Sequence, residues 1–252
     1  MHNFSAYLSI AKLTTAFFPS QCLLCACSLK GELLCTNCQY DLPHSYGQLL
    51  CQQCGLRIES LSDFCGHCLR HPPAFSRSFI PFAYQHPLDH LIHKFKYRRN
   101  LTSGKLLGDM LADYLKHYAQ EHNDWLPPDL IIPAPMHWLR RWQRGFNQAE
   151  VLGQYVAREL NIPLATHIIQ RNHRTPAQKE LTRLERQKNL RKAFSIAEKN
   201  LMGFTGINFK AHRLPEARQL LNIFFCKFWF SQRIQFTHMN KLRCVGIFFR
   251  IY

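Results

Sequence analysis

Four C-x-x-C pairs between residues 22 and 68 constrain the fold of this chain more than any other feature. Two thiolates three residues apart on a tight turn can bind one metal ion, and two such turns complete a tetrahedral sulfur site for zinc. The spacing therefore predicts two structural zinc ions and a double zinc ribbon over residues 22–71. The eight expected ligands are Cys22, Cys25, Cys35, Cys38, Cys51, Cys54, Cys65 and Cys68.

The way the pairs combine is open at this point. Nine residues separate Cys25 from Cys35 and ten separate Cys54 from Cys65, which favours sequential pairing into two similar ribbons. Cross-brace pairing of the first pair with the third and the second with the fourth remains an alternative. A disulfide framework is disfavoured because no secretory signal precedes the cysteines. We expect Cys27, His67 and His71 to be bystanders.

The first 21 residues space Tyr7, Leu8, Leu13, Phe17 and Phe18 like a short amphipathic helix. The segment has neither a basic region nor a small-residue cleavage site, so it does not resemble a signal peptide. No early apolar run reaches the roughly eighteen residues of a membrane span. A cytoplasmic location is expected.

Beyond a proline-containing boundary at residues 70–78, the pattern changes to that of an α/β domain. Strands are predicted at residues 78–84, 129–135 and 163–170, with amphipathic helices at 101–119 and 146–160. Strand–helix–strand units of this length indicate a parallel sheet covered by helices. The expected inward-facing residues are Leu106, Leu107, Met110, Leu111, Tyr114, Leu115 and Tyr118 on the first helix, and Val151, Leu152, Tyr155, Val156 and Leu160 on the second.

The chain is strongly basic, with 32 Lys and Arg against 16 Asp and Glu and a formal net charge of +16. Such an excess favours polyanionic partners. A loop after the strand at 129–135 carries Arg140, Arg141 and Arg144, and ligands of parallel sheets bind at the carboxyl ends of strands. The loop is predicted to bind an anion. The alternative is a solvated basic turn in which Trp138 and Trp142 cover the core.

A second basic run, at residues 93–100, interleaves cations with Phe95 and Tyr97. Alternating basic and aromatic residues suit single-stranded nucleic acid, which offers phosphates and stackable bases. The alternative is the wet face of a helix. The residues predicted to bind nucleic acid are Lys94, Lys96, Arg98, Arg99, Arg140, Arg141 and Arg144.

Several motifs, in this order, resemble the ComF family of bacterial competence proteins over roughly residues 18–196. They are the C-x-x-C pairs, "YQHPLDHLIHKFKYR", "IPAPMHWLRRWQRGFNQAEVL" and "RNHRTPAQKELTRLERQKNLRKAF". The resemblance implies a zinc module followed by a type I phosphoribosyltransferase-like fold. It also implies a role in DNA uptake during natural transformation, at the cytoplasmic face of the membrane, beside helicase or strand-processing partners.

Within that fold, the loop after "IIPAP" matches the position of the pyrophosphate loop. The resemblance thus implies that Arg140, Arg144 and Gly145 bind phosphate or pyrophosphate. Intact relatives of this fold would take phosphoribosyl pyrophosphate with Mg²⁺.

The chain departs from the type I phosphoribosyltransferase pattern after about residue 198. That pattern needs a strand ending in two adjacent acidic residues and then a Thr/Gly-rich loop, but no two acidic residues are adjacent in this sequence. We therefore interpret residues 78–198 as a truncated domain and name no catalytic residue. Residues 199–252 form a basic, aromatic tail that is expected to be disordered or translated in a shifted frame, the alternative being an unrecognised C-terminal element.

Three functions are compatible with these features. The favoured one is a ComF-like accessory protein of DNA uptake that binds zinc and either single-stranded DNA or a phosphorylated ligand. The second is a phosphoribosyltransferase, which the missing acidic pair disfavours. The third is a general zinc-ribbon protein that binds nucleic acid without any link to competence.

Overall fold

The computed structural model describes residues 20–59, 61–72, 75–123, 125, 127–171, 194–196, 223–228 and 244–249. The amphipathic helix predicted for the first 21 residues lies outside this part of the chain, apart from its last two residues. The helix and strand bounds are β1 Ser20–Gln21, β2 Ser28–Leu29, α1 Thr36–Tyr40, α2 Gly66–Arg70, β3 Phe75–Phe79, α3 Leu88–Tyr97, α4 Leu101–Glu121, β4 Leu130–Pro133, α5 Trp138–Arg144, α6 Gln148–Leu160, β5 Ile169–Arg171, β6 Phe194–Ile196, β7 Ile223–Phe228 and β8 Cys244–Phe249.

A four-stranded parallel sheet forms the centre of the α/β part, with strand order β3-β8-β7-β4. Its register pairs Leu130 with Ile223 and Pro133 with Cys226. On the other side of β4, Ile131 forms a parallel bridge with Leu164. A parallel sheet was predicted, and the structure agrees. The two remaining strand pairs, β1 with β2 and β5 with β6, are antiparallel.

Two segments of the C-terminal tail, β7 and β8, are strands of this sheet, whereas we expected a tail that is disordered or translated in a shifted frame. The sheet therefore extends beyond the predicted domain limits of 78–198, and it begins earlier, at β3. The physical reason is that parallel strands read as continuous apolar runs rather than as alternating patterns. The runs "IFFCKF" and "CVGIFF" are of that kind.

The buried faces of the two long helices, α4 and α6, are the ones that we predicted. Leu107, Leu111 and Leu115 of α4 are completely buried, as are Leu152 and Val156 of α6. The other predicted inward residues of α4, together with Val151 and Leu160, are partly buried against the same core. The 3.6-residue period therefore identified both helices correctly.

Two predicted strands are shorter or displaced. The strand expected at 78–84 ends at Phe79, because Pro81 has no N–H to donate to a neighbouring strand. Residues 81–83 instead pair with the segment between the ribbons, where Ser45 N–H donates to the Pro81 carbonyl (2.9 Å) and Ala83 N–H to that of Pro43 (2.9 Å). The strand expected at 163–170 is limited to the bridge at Leu164 and to β5.

In the described residues, no helix is both long and apolar enough to cross a bilayer.

Glycines permit the close helix contacts. A Cβ added at Gly108 of α4 would lie 2.7 Å from the Cβ of Tyr155 on α6, and one at Gly104 would overlap the Phe95 ring. Tyr155 Cβ is attached to the backbone and cannot swing away. The spacing between α4 and α6 therefore depends on Gly108.

We expect Gly108→Ala to lower the free energy of unfolding by about 1–3 kcal/mol, because overpacking outweighs the gain in helix propensity. Gly66→Ala is the matched control, since Gly66 is also helical and has nothing within 4 Å of its added Cβ. Urea unfolding followed by circular dichroism measures both. Equal unfolding midpoints for the two variants would contradict the assigned helix packing.

Candidate metal centres and cationic cluster

The structure brings the eight predicted cysteines together as two tetrads. The first tetrad is Cys22, Cys25, Cys35 and Cys38; the second is Cys51, Cys54, Cys65 and Cys68. Within each tetrad all sulfurs lie within 4.8 Å of one another. The pairing is sequential, so the cross-brace alternative does not describe this structure.

The sulfur spacing matches a metal site rather than a disulfide. The Cys25 and Cys35 sulfurs are 3.6 Å apart, and those of Cys54 and Cys65 are 3.7 Å apart. A tetrahedron with Zn–S bonds of about 2.3 Å has edges of about 3.8 Å, whereas a disulfide bond is about 2 Å long. Four thiolates in a closed tetrahedral set are the donors that structural zinc prefers. The tetrads are therefore consistent with two structural zinc ions.

Local backbone structure produces each half-site. In the first knuckle, Ala26 N–H donates to the Cys22 carbonyl (2.9 Å) and Cys22 N–H to that of Cys27 (2.9 Å). The third cysteine of each tetrad then precedes a short helix, since Cys35 is the N-cap of α1 and Cys65 that of α2. This turn–helix arrangement directs both pairs of sulfurs of a ribbon toward one point.

Backbone N–H groups also stabilise the thiolate form of some of these cysteines, which is the form that binds a metal cation. Burial opposes ionisation of Cys22, but the N–H groups of Cys25, Cys35 and Leu24 outweigh it and lower the Cys22 pKa to about 6. Burial opposes ionisation of Cys51 as well, and the amides around it lower its pKa to about 7. In contrast, burial raises the pKa of Cys38, and neighbouring thiols add to the rise. A metal must displace the protons from such thiols as it binds.

The two ribbons pack differently on the α/β part. In the first ribbon, Cys22, Leu34 and Leu42 belong to the main hydrophobic core, which also contains Phe95 of α3. In addition, Lys94 Nζ of α3 donates to the Leu23 carbonyl (2.8 Å), inside the first knuckle. The first tetrad is therefore continuous with the core.

The second ribbon has a small core of its own, formed by Cys51, Cys65 and Cys68 with partly buried neighbours. Two polar contacts join it to β3: Arg77 donates to Gln52 Oε1 (2.7 Å), and Ser78 N–H donates to the Gln52 carbonyl (2.9 Å). The second ribbon is therefore a satellite of the main core.

The basic segment after β4 is a short helix rather than the loop that we predicted. His137 Nδ1 accepts from Leu139 N–H (3.3 Å) at the start of α5, and Gly145 ends it in the left-handed region with φ +83°. Arg99 of the preceding basic run donates to the Gln143 carbonyl (2.8 Å) near the end of α5. Arg99 thus links the two basic runs.

Four cations form what we call the cationic cluster: Lys96, Arg140, Arg144 and Arg171. Burial, together with the positive charge of Arg144, lowers the pKa of Lys96 to about 7. Burial, with the charge of Arg140, lowers the pKa values of both Arg144 and Arg171. The electrostatic effects thus link Lys96 to Arg144, Arg144 to Arg140, and Arg140 to Arg171.

Some predicted binding residues are occupied elsewhere. Arg141 forms an ion pair with Glu150 (3.3 Å), and the ammonium group of Lys94 binds the first ribbon. Gly145 N–H donates to the Arg141 carbonyl (2.7 Å), so it is not available to a phosphate. Phe95 is fully buried and cannot stack on a base, which corrects that part of our expectation. Arg98 is exposed.

The tryptophans of α5 do not cover the core, so that alternative is wrong. Trp138 is 70% exposed and Trp142 is 78% exposed. At about 100° per residue, their side of the helix is turned by about 120–160° from Arg140 and Arg144. They therefore form an exposed aromatic pair that is separate from the cationic cluster.

Sequence reasoning missed two features of the cluster. Arg171, the last residue of β5, was not selected, although a cation at a strand end was visible in the sequence. The guanidinium of Arg144 lies 5.6 Å from the centroid of the Tyr97 ring, a cation–π contact that requires knowledge of the tertiary structure.

We expect the reduced full-length protein to contain two zinc ions and each tetrad variant to contain one. Cys38→Ser should lower the melting temperature of the α/β part more than Cys68→Ser does, because only the first tetrad shares the main core. Metal analysis and thermal unfolding measure the two effects. Equal destabilisation by both substitutions would contradict the unequal docking.

Comparison with known proteins supports the ribbon assignment. Residues 13–69 match the double zinc ribbon domain family. No solved structure matches the chain, so the phosphoribosyltransferase-like fold has no support from a structural relative.

Curated relatives cover more of the chain. Competence protein F of Haemophilus influenzae is 33% identical over 187 residues, which are 72% of this chain and 78% of that protein. DNA utilization protein YhgH of Salmonella typhimurium is 32% identical over 181 residues, 71% of this chain and 78% of the relative. YhgH of Escherichia coli K12 is 33% identical over 147 residues, 58% of this chain and 64% of the relative, so the match to it spans less than two thirds of its length. On the extent of these matches, the chain belongs to the ComF family of competence proteins.

Proposed function

We propose that this protein is a zinc-dependent accessory factor of DNA uptake that binds the phosphates of single-stranded DNA at the cationic cluster. The names of its relatives, competence protein F and DNA utilization protein, support the process. The observation that carries the binding proposal is a buried lysine, Lys96, next to this group of arginines: the charge of Arg144 lowers the pKa of Lys96, and the charge of Arg140 lowers the pKa values of Arg144 and Arg171.

The cluster contains a buried cation, Lys96. Lys96 is only 7% exposed, so its ammonium group has lost most of its hydration and faces a second cation. An anion within about 4–6 Å reverses this situation, because an opposite charge favours the ionised form. Arginine adds planar, forked donors that match phosphate geometry. A phosphate is therefore the ligand chemistry that the cluster fits.

A single strand suits the surroundings better than a duplex. Tyr97 is 55% exposed and contacts Arg144, so a base next to a bound phosphate can stack on its ring. The exposed pair Trp138 and Trp142 lies on another side of α5 and offers further stacking to a strand that continues around the helix. Stacking requires unpaired bases, whereas a paired base in a duplex already stacks on its neighbours.

This role implies a cytoplasmic protein that works beside the helicase or strand-processing factors of the uptake machinery. We also propose that residues 75–171, with β7 and β8, form a phosphoribosyltransferase-like domain that has lost catalysis. Its parallel sheet and the cations after β4 support the fold. The lack of an acidic pair in these 252 residues supports the loss. Turnover of phosphoribosyl pyrophosphate would overturn this last point.

We expect the Arg140→Ala/Arg144→Ala variant to bind a fluorescent single-stranded oligonucleotide at least tenfold more weakly than the parent. Each lost phosphate contact should also reduce the slope of log affinity against log salt by about 0.7, because fewer counterions are released. Fluorescence anisotropy at several salt concentrations measures both quantities.

The matched control is Arg158→Ala, which removes a cation that pairs with Glu159 on α6 outside the cluster. Unchanged binding by the double variant at every salt concentration would refute the proposed site. Arg57, exposed on the second ribbon, tests the general zinc-ribbon alternative. If Arg57→Ala weakens binding and the double variant does not, the ribbon binds the nucleic acid.

Binding should weaken as the pH rises from 6 to 8. The pKa of Lys96, ordinarily 10.5, is lowered to about 7, so its ammonium group is charged below that pH and neutral above it. DNA phosphodiesters stay charged between pH 6 and pH 8, so the loss of attraction comes from a change of charge on the protein. We expect the affinity for DNA to fall roughly tenfold between pH 6 and pH 8. This corresponds to an interaction between Lys96 and the phosphate of about one pKa unit.

The Lys96→Arg variant distinguishes the titration of Lys96 from that of other pH-sensitive groups, because arginine stays charged at both pH values. Arg144 faces Lys96 from α5, while His93 stacks near Tyr97 and His137 begins α5. All three are unchanged in the variant. A pH dependence equal to that of the parent would show that Lys96 is not the titrating group.

A further inference from the structure

The last turn of α3 contacts both the first ribbon and the helix that carries Arg144. On one side, Lys94 Nζ donates to the Leu23 carbonyl (2.8 Å), which lies in the first knuckle. On the other, the guanidinium of Arg144 lies 5.6 Å from the centroid of the Tyr97 ring. Three residues therefore separate a bond to the first zinc site from a contact with the cationic cluster.

The two residues between Lys94 and Tyr97 are packed in the interior. Phe95 is fully buried in the main core, which also contains Cys22 and Leu34 of the first ribbon. Its ring centroid lies 5.2 Å from that of Phe146, which follows α5. Lys96 is 7% exposed. Because close-packed side chains transmit strain to their neighbours, loss of the first ribbon is expected to displace the end of α3.

The second ribbon is attached to another part of the domain. Gln52 of this ribbon bonds to Arg77 and Ser78 of β3, and its cysteines form a core separate from the main one. In the sheet order β3-β8-β7-β4, β3 is at the opposite edge from β4, the strand that leads to α5. The second tetrad therefore serves as an internal comparison for the first.

The first tetrad is also the more accessible of the two. Only Cys22 of the first tetrad is buried, whereas three of the four cysteines of the second tetrad are buried. A chelator or a competing zinc protein can approach exposed ligands more easily than buried ones. The site that contacts α3 is therefore the one at which we expect zinc to exchange faster.

From this arrangement we infer that zinc occupancy of the first tetrad regulates the affinity of the cationic cluster for single-stranded DNA. The inference rests on the proposed function and adds a regulatory site to it. Without zinc the first ribbon loses its folding energy, so α3 loses the Lys94 bond and the apolar contacts of Cys22 and Leu34. Lys96 and Arg144 are then no longer held in a fixed arrangement.

The coupling is reciprocal. If zinc at the first tetrad raises the affinity for DNA by some factor, DNA bound at the cluster raises the zinc affinity of that tetrad by the same factor. Couplings between linked sites are typically about fivefold or more. Zinc retention therefore reports on the connection independently of any activity.

The test uses the full-length variants Cys68→Ser, which keeps the first tetrad, and Cys38→Ser, which keeps the second. Zinc affinity is measured by competition with a fluorescent chelator, with and without oligothymidylate at a concentration that saturates binding by fluorescence anisotropy. We expect the oligonucleotide to raise the zinc affinity of the first tetrad at least about fivefold and to leave that of the second unchanged. Adding Arg140→Ala/Arg144→Ala to Cys68→Ser should abolish the effect, which excludes zinc binding by the oligonucleotide itself.

Lys94→Met, added to Cys68→Ser, tests the connection with the first tetrad intact. It removes the bond to the Leu23 carbonyl and leaves the cysteines of that tetrad in place. We expect the effect of the oligonucleotide on zinc affinity to fall at least twofold. The result does not require a zinc-free ribbon to fold.

Hydrogen exchange followed by mass spectrometry measures the same connection without DNA. Peptides that cover residues 88–97 and 138–144 should exchange faster in Cys38→Ser than in Cys68→Ser. Equal exchange in the two variants, or DNA binding that protects both zinc ions equally or neither, would overturn the inference and leave the proposed function intact. An oligonucleotide that binds no variant and not the parent would refute the proposed function, and the regulation of DNA binding with it.

Discussion

The first cysteine tetrad is the constraint on which the rest of this structure depends. Ribbons of this size lack the apolar residues for an independent core, so bound metal supplies their folding energy. The first ribbon also contributes residues to the main core, since Cys22 and Leu34 are buried there together with Phe95 of α3. The bond from Lys94 to the Leu23 carbonyl ties the same helix to the knuckle. Metal at this site therefore fixes the position of α3.

The position of α3 in turn determines the geometry of the cationic cluster. Phe95 and Lys96 are adjacent on α3, and both are buried. The apolar ring anchors the helix, while the ammonium group is desolvated against Arg144. Burial and the charge of Arg144 both disfavour the charged form of Lys96, whereas an anion close to its ammonium group would favour that form.

Periodic and spaced patterns predicted the parts of the fold that depend on local structure. The C-x-x-C spacing identified both tetrads, and the apolar faces of α4 and α6 identified those helices. Tertiary effects were not visible in the sequence. Nothing in the run at residues 93–100 indicates that Lys96 is buried while Arg98 is exposed, or that Arg141 pairs with Glu150 rather than facing a ligand. β7 and β8 were missed because continuous apolar strands carry no period.

The register of the sheet relates the unusual tail to the proposed ligand. β7 is the neighbour of β4, and Pro133 at the end of β4 is paired with Cys226. The chain leaves β4 at Pro133, beside β7, and continues to α5. A type I phosphoribosyltransferase needs an acidic pair at a strand end to meet the hydroxyl groups of ribose. The sequences of the two tail strands, IFFCKF and CVGIFF, contain no acidic residue. The strand next to β4 therefore brings no carboxylate for ribose, whereas the helix that follows β4 brings Arg140 and Arg144 for a phosphate.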